Sequence, residues 1–409
     1  MSIAPSLSAP LVDLSNPDVF VPAYPHAHFR WLRENDPVWW NPSQFGTGFW
    51  VVSRYKDIWD VSLDQKTYSS ARQGAIQRDW DESQLEPQKE LLINQDPPRH
   101  TKYRRLVNMG FSPKMVNKLT EHIYELADHI IDNIAAHGEC DFVTHVAAEL
   151  PLQVIVEMLG VPLTDRQLVF DWSNKMLAYD DPEYQTSPET PHIASAEMFM
   201  YSHELAMKRQ AAPKDDLISV LLEAEVDGEK LTVAEINTFF LLLSVAGNET
   251  TRNTISGGML ALIEHPEERA RLMADPSLLD SAVEEIIRWV SPVMAFRRTA
   301  TRDVVLAGRE IREGDSVSLW YGSANRDATM FEDPDRFDVG RTPNEHLGFG
   351  IGPHFCLGAN LARLEIRIMF ERLLQRLPDI RLAGPVERLR SNFINGIKHM
   401  PVRFTPERS

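Results

Sequence analysis

The stretch from Thr232 to Glu264 constrains the fold more than any other part of the chain. Thr232-x-x-Glu235 is a capping box, in which hydroxyl and carboxylate satisfy each other's free backbone N–H groups and start a helix. His265-Pro266 ends it, because a proline disfavours helical geometry in the residue before it. A helix of about 32 residues is roughly 48 Å long at 1.5 Å per residue, enough to cross a whole domain. The rest of the chain must therefore pack around it. Its middle is apolar through Val245 and then reads Ala246-Gly247-Asn248-Glu249-Thr250-Thr251. A carboxylate and a hydroxyl inside a core helix are costly unless paired, and Gly247 weakens the helix by about 1 kcal/mol relative to alanine. Either the helix surfaces here and Glu249 is solvated, or the local rule-breaking marks a site.

The second constraint is Phe349-Gly350-Ile351-Gly352-Pro353-His354-Phe355-Cys356-Leu357-Gly358. The glycines imply tight turning or close approach to something large. An amphipathic helical pattern runs from Leu357 to Leu377, so Cys356 falls at a helix N-terminus, which favours a thiolate. Such a thiolate suits one axial bond to a haem iron. A zinc site would need further ligands, and no second cysteine is near. A disulfide with Cys140, a nucleophile served by His354, and a merely packed cysteine are the other readings.

Phe349-Gly350-x-Gly352-x-His354-x-Cys356-x-Gly358 resembles the haem-binding signature of the cytochrome P-450 superfamily. The resemblance implies a b-type haem (heme b) with Cys356 as its metal ligand, contacts from Phe349, His354, Gly358 and Ala246, and dioxygen as cosubstrate. Residues 246–250 are similar to the family's oxygen-activating segment. Glu249 then matches the acid that feeds protons from solvent, and Thr250 the alcohol that orients a water beside bound dioxygen. Ala246 and Gly247 would let the helix bulge there.

Haem carries two propionates, so cations are expected in fixed places. His100 and Arg104 stand at i, i+4 on one helical face, Arg298 matches an arginine reaching from a strand, and His354 is the fourth candidate. Each alone also reads as a solvated side chain. Glu285-x-x-Arg288 is by itself an ordinary surface pair, worth under about 1 kcal/mol. The resemblance implies a buried pair instead, joined by Arg336, with Arg341 as the other possible member.

Composition limits the function classes. The chain has 409 residues, 43% of them apolar, two cysteines and a net charge of −17. That acidic balance argues against nucleic acid as a partner. No basic residue precedes Arg30, five prolines interrupt the first 25 residues, and Phe239 to Gly247 is too short to span a bilayer. The expectation is a cytoplasmic protein without a membrane anchor. No linker or repeat divides the chain, so residues 1–409 are expected to form a single unit.

Secondary structure reads as mainly α with a smaller β part, an α+β chain. The β-containing part is expected at about 30–70 and 300–325, the helical part at about 100–290 and 356–378. Val38 to Trp40 and Phe49 to Val52 form a hairpin pattern. Residues 71–95 read as a mobile connection. Ser112-Pro113 starts a helix that continues through Val116, Leu119, Ile123, Leu126, Ile130 and Ile134 and stops at Gly138. Tyr179 to Pro191 reads as a loop. Val304 to Leu306, Ser316 to Tyr321 and parts of Arg388 to Phe404 are strand patterns.

Within the superfamily, Val245 to Asn253, Val317 to Tyr321 and Leu389 to Lys398 are similar to actinobacterial enzymes that hydroxylate the terminal carbon of lipid chains. The resemblance implies a methyl-branched fatty acid, an isoprenoid or a sterol side chain as substrate. Leu242, Val245, Val293, Met294, Phe296 and Ile394 are the candidate pocket residues, each equally readable as plain core. Terminal attack requires a narrow channel that presents the chain end-on. Electrons would come from a ferredoxin and a ferredoxin reductase. Lys102, Arg105 and Lys114 could form a basic docking patch or be ordinary surface charge, and a monomer is expected. Alternatives are a terpene hydroxylase acting at a non-terminal carbon, a non-catalytic haem sensor or carrier, and a cysteine hydrolase.

Overall fold

Thr232 caps the central helix Val233–Glu264 as its capping box requires: Glu235 N–H donates to Thr232 Oγ1 at 3.2 Å, and Thr232 N–H to Glu235 Oε2 at 2.8 Å. His265 ends the helix and Pro266 opens the next. The computed structural model describes residues 11–43, 46–111, 113–226 and 228–407. Helices Glu149–Met158, Arg166–Leu177, Thr190–Ala211, Leu279–Val290 and Ala359–Arg376 all pack on the central one. Their apolar faces meet in one large core that includes Leu150, Phe240, Met259, Ile286 and Phe370. Phe240 and Phe370 are fully buried; truncating either to alanine costs about 3–5 kcal/mol through lost burial and the cavity left behind.

The β part gathers strands from distant stretches. A five-stranded sheet runs in the order Val38–Asn41, Phe49–Val52, Ser316–Trp320, Ala295–Ala300, Tyr68–Ser69. The expected hairpin forms, with Val38 opposite Val52 and Asn41 opposite Phe49. Ser316–Trp320 lies parallel to the hairpin's second strand and antiparallel to Ala295–Ala300, which sets Val317 opposite Arg298. Tyr321, expected in that strand, instead opens the short helix Tyr321–Ala324. At the C-terminal end, Pro401–Arg403 pairs with Glu139–Asp141 and Arg381–Leu382.

Three sequence expectations need revision. Residues 71–95 hold a helix, Glu82–Gln88, and a 3-10 turn, Leu92–Asn94. Asp81 and Gln84 form a capping box that the sequence contained but that its low apolar content obscured. The helix expected from Ser112-Pro113 is two helices, Pro113–Lys118 and Thr120–Ala135, and Ser112 lies outside the described residues. Tyr179 to Pro191 connects two helices as expected, but Pro191 already sits in the first turn of Thr190–Ala211.

Candidate active site

Gly350 and Gly352, with φ of 68° and 75°, adopt the left-handed geometry that only glycine takes cheaply. They fold the chain back so that Cys356 N–H donates to the Phe349 carbonyl at 2.9 Å. Helix Ala359–Arg376 follows with Gly358 as N-cap, so Cys356 stands two residues before the cap. Burial pushes the Cys356 thiol up, opposed by the Gly358 N–H and by Arg104 and Arg363. The helix end thus favours the thiolate but does not by itself outweigh burial; a metal cation bound to the sulfur would supply the missing charge. A Cβ added at Gly358 would meet nothing within 4 Å, so the space at this residue is open. Phe349 packs under Arg363, whose Cζ lies 4.5 Å from the ring centroid, and Arg363 is held by Glu284 at 2.6 Å and 2.9 Å.

The central helix runs as α-helix throughout, without the expected bulge at Ala246 and Gly247. The reason for Gly247 is different. A Cβ there would lie 3.2 Å from Ile155, so the glycine lets helix Glu149–Met158 approach closely. Ala246 is exposed and Thr250 half-buried. Thr250 Oγ1 donates to the Ala246 carbonyl at 2.7 Å, one turn back. Glu249 is not at a surface: it is 2% exposed and hydrogen-bonded by Arg252. Arg252 Nη1 in turn donates to Asn174 Oδ1 at 2.8 Å. Burial pushes the Glu249 carboxyl up and Arg252 pulls it down, with burial the stronger. Glu249 Oε1 has no hydrogen-bond partner, and neither do the nearby buried polar groups of Ser244 and Asn248. Arg252 and Asn174 were not anticipated, although Arg252 stands at the i+3 spacing that brings helical side chains together.

The basic candidates converge. His100 is 2% exposed and neither ring nitrogen has a hydrogen-bond partner. Its ring centroid lies 4.2 Å from that of His354, which reaches Ser70 Oγ at 3.3 Å. Burial, with Arg104 and Arg298 adding repulsion, lowers His100 to about 4 and His354 well below its usual value, so both rings are neutral near pH 7. Arg298 is 4% exposed and donates from Nη1 to the Arg297 carbonyl at 2.7 Å. Arg104 donates to the Phe355 carbonyl at 2.6 Å, which ties its helix to the cysteine loop. Buried donors without acceptors are rare in proteins. A planar group with two carboxylates and a central metal fits this set: His100, Arg104, Arg298 and His354 offer donors, Gly358 leaves space, and Cys356 offers sulfur.

Glu285 and Arg288 are fully buried and paired in bidentate fashion at 2.7 Å and 2.8 Å. Arg341 completes the pair, with Nε 3.1 Å from Glu285 Oε2. Arg336 does not. Its side chain is 60% exposed and 3.8 Å from Glu268, and only its carbonyl accepts from Arg288 and Arg341. The backbone turn at Asp333 to Arg336 directs that side chain outward and leaves Arg341 facing the carboxylate.

Of the pocket candidates, Val293, Phe296 and Ile394 meet in one apolar cluster, with Val293 and Ile394 bridged through their backbones. Ile76, Leu177, Tyr184, Leu389 and Phe393 join them. Leu242 is half-buried against the helical core and Val245 is half-buried one turn before Glu249. Met294 does not belong. It lies just before the strand Ala295–Ala300 and packs into a cluster with Phe20, Tyr24, Phe29 and Trp320.

Of the three residues of the expected basic patch, one is paired with a carboxylate. Lys102 is neutralised by Glu229, Arg105 is exposed, and the Lys114 side chain lies outside the described residues. Cys140 and Cys356 are both free, with Cys140 opposite Val402 in a different sheet. Among the described residues no group of three His, Cys, Asp or Glu side chains could hold a metal ion, so the zinc reading has no ligand set. No described helix is long and apolar enough to cross a membrane.

Residues 192–378 match the family model for cytochrome P450. The chain is 45% identical to a steroid C26-monooxygenase of Rhodococcus jostii (strain RHA1), over 96% of this chain and 84% of that protein. It is 42% identical to a methyl-branched lipid omega-hydroxylase of Mycobacterium bovis, over 92% and 90%. A solved structure, Mycobacterium marinum cytochrome P450 CYP268A2 in complex with pseudoionone, superposes with a TM-score of 0.89 at 37% identity, covering 99% of this chain and all of that one.

Proposed function

The chain belongs to the cytochrome P450 family and is a haem-thiolate monooxygenase, and on that premise we propose that it hydroxylates the terminal carbon of a methyl-branched fatty acid, an isoprenoid or a sterol side chain. The observation that carries this reading is the apolar cluster of Val293, Phe296, Ile394, Phe393, Leu177 and Ile76, drawn from four separate stretches of chain. It offers a long hydrophobic body no hydrogen-bonding partner at the reacting end, so position must come from shape. The names of the two relatives, a steroid C26-monooxygenase and a methyl-branched lipid omega-hydroxylase, point the same way.

Cys356 would hold the haem iron, and His100, Arg104, Arg298 and His354 would hold its carboxylates. Haem bound there would supply dioxygen activation: with two electrons and two protons, one oxygen atom would enter a substrate C–H bond and the other would leave as water. Glu249 and Thr250 move the protons: Glu249 releases and regains one at the unpartnered Oε1, and Thr250 Oγ1 orients the last water. Glu285, Arg288 and Arg341 keep the cysteine side of the core rigid. The electrons come from a ferredoxin and its reductase, the protein is a cytoplasmic monomer, and residues 1–409 act as one unit.

The test is a reconstituted turnover with a branched fatty acid, an isoprenoid and a sterol, followed by mass-spectrometric location of the new hydroxyl. Oxidation at the terminal methyl supports the reading. Oxidation only at internal carbons, as in a terpene hydroxylase, sinks it.

A further inference from the structure

A cleft with polar and apolar walls, of about 690 Å³, opens at the surface between Gly46 and Gly48, residues 77–79 and the 179–191 connection. Its walls differ from the apolar cluster just inside. Arg78, Asp79, Tyr179, Asp180, Arg390 and Asn392 line it. The two regions adjoin along three stretches of chain: Ile76 and Arg78, Leu177 and Tyr179, Phe393 and Asn392 each place one residue in the cluster and one in the cleft.

Arg78 is the distinctive group. Its guanidinium lies 4.8 Å from the Trp80 ring centroid and 5.1 Å from that of Tyr179, so two aromatic faces hold it. Its backbone is fixed by Arg297 Nη1, which donates to the Arg78 carbonyl at 2.6 Å. Among the described residues no carboxylate hydrogen-bonds this guanidinium, although Asp79 and Asp180 line the same cleft. Asp79 is taken by Thr47 N–H at 3.0 Å and by Arg297 at 3.4 Å. Asp18 is taken by Arg390 at 2.6 Å. Asp180 makes no hydrogen bond to Arg78 through its carboxyl, and burial pushes that carboxyl up against the pull of Arg390 and Arg78. An arginine oriented by stacking, with its fork open, suits a planar carboxylate.

We infer that Arg78 receives the carboxylate head of an elongated apolar substrate whose tail lies in the Ile76, Leu177 and Phe393 cluster. This rests on the lipid reading above and narrows it. The preferred substrates are acids, a branched fatty acid or a sterol-derived acid, that enter tail first. The carbon at the far end is then the one presented for oxidation, so the head contact contributes to regioselectivity.

The experiment uses the full-length holoenzyme and follows the haem spin-state shift on titration. The probes are an iso-branched hexadecanoic acid and its methyl ester. The acid should bind wild type about tenfold more tightly than the ester, as expected for one charge-assisted pair, and the preference should shrink as ionic strength rises. In Arg78→Ala the acid-to-ester ratio should fall close to one, and Arg78→Lys should retain part of it. The CO-bound spectrum of each variant checks that haem and fold are kept. Equal binding of acid and ester by wild type overturns the inference, as does a ratio that survives in Arg78→Ala. If both ligands are then oxidised at the terminal methyl, the lipid reading stands without the head contact. If neither probe nor a sterol perturbs the haem, both fall together.

Discussion

Arg252 hydrogen-bonds Glu249 from one turn further along the central helix, and the two side chains are 4% and 2% exposed. The pair is anchored to a second helix by Asn174, 2.8 Å from Arg252 Nη1. One carboxylate oxygen is thus occupied and the other has no partner. The group assigned to proton delivery is therefore held by a neighbour and is not bathed by solvent. This pairing satisfies the charge that a buried carboxylate would otherwise leave uncompensated.

Breaking the pair from the cationic side should be expensive. Arg252→Gln leaves a buried carboxylate without its counter-charge and should lower unfolding stability by about 3–5 kcal/mol. Chemical denaturation of the holoprotein measures this. Adding Glu249→Gln in the same chain should recover part of the loss, and an unrecovered double variant would show that the two residues are not coupled.

Glu249→Gln alone should slow turnover by about 10²-fold, the lower range for losing a positioned proton donor, and enlarge the solvent isotope effect while the substrate-induced spin shift stays. Thr250→Ala should instead consume reductant at a near-normal rate and release hydrogen peroxide in place of product. Full coupling of reductant to hydroxylated product in Thr250→Ala would remove Thr250 from the proton path.

Arg341 and Arg336 should behave differently although both lie near Glu285. Arg341→Ala removes one cation from a fully buried carboxylate and should cost about 3 kcal/mol or more, with partial loss of haem during purification. Arg336→Ala changes an exposed side chain and should stay within about 0.5 kcal/mol. Thermal unfolding and the ratio of haem to protein absorbance report both. Equal losses would place Arg336 in the network after all.

Glu365 supplies a pH test. It is 3% exposed, its Oε2 has no partner, and burial raises its carboxyl to about 8. The folded-state value lies above the unfolded one, so the folded state binds the proton more tightly. Its contribution is fully present below about pH 4.3, the ordinary glutamate value, and is lost as pH rises through about 8. Glu365→Gln, which cannot ionise, should therefore gain stability relative to wild type as pH increases from 5 to 9. A difference in melting temperature that stays constant over that range would mean the carboxyl is already ionised in the fold.

Local chemistry was legible in the sequence wherever a function needs residues close together in the chain. The cysteine loop, the capping box at Thr232 and Glu235, the i, i+4 pair of His100 and Arg104, and the Glu285–Arg288 spacing all follow from backbone periods and turn geometry. The helix at Glu82–Gln88 is not legible in this way, because its cap is local but its face is not apolar, so periodicity carries no signal there. The family resemblance implies a bulge at Gly247, but a glycine in a helix also permits close helix packing, and only the position of Ile155 selects between the two.

What the sequence determined was thus the set of reactive groups: one thiolate, one acid with its alcohol, and a few cations. What tertiary structure decided was which of them face one another. Met294 and Phe296 are two residues apart yet end in different cores, because Met294 precedes the strand Ala295–Ala300 in which Phe296 lies. Arg341 displaces Arg336, and Asn174 reaches Arg252 across 78 positions of chain. Such pairings depend on where distant segments pack, and the energy that fixes them is burial summed over the whole core, which no short stretch of residues encodes.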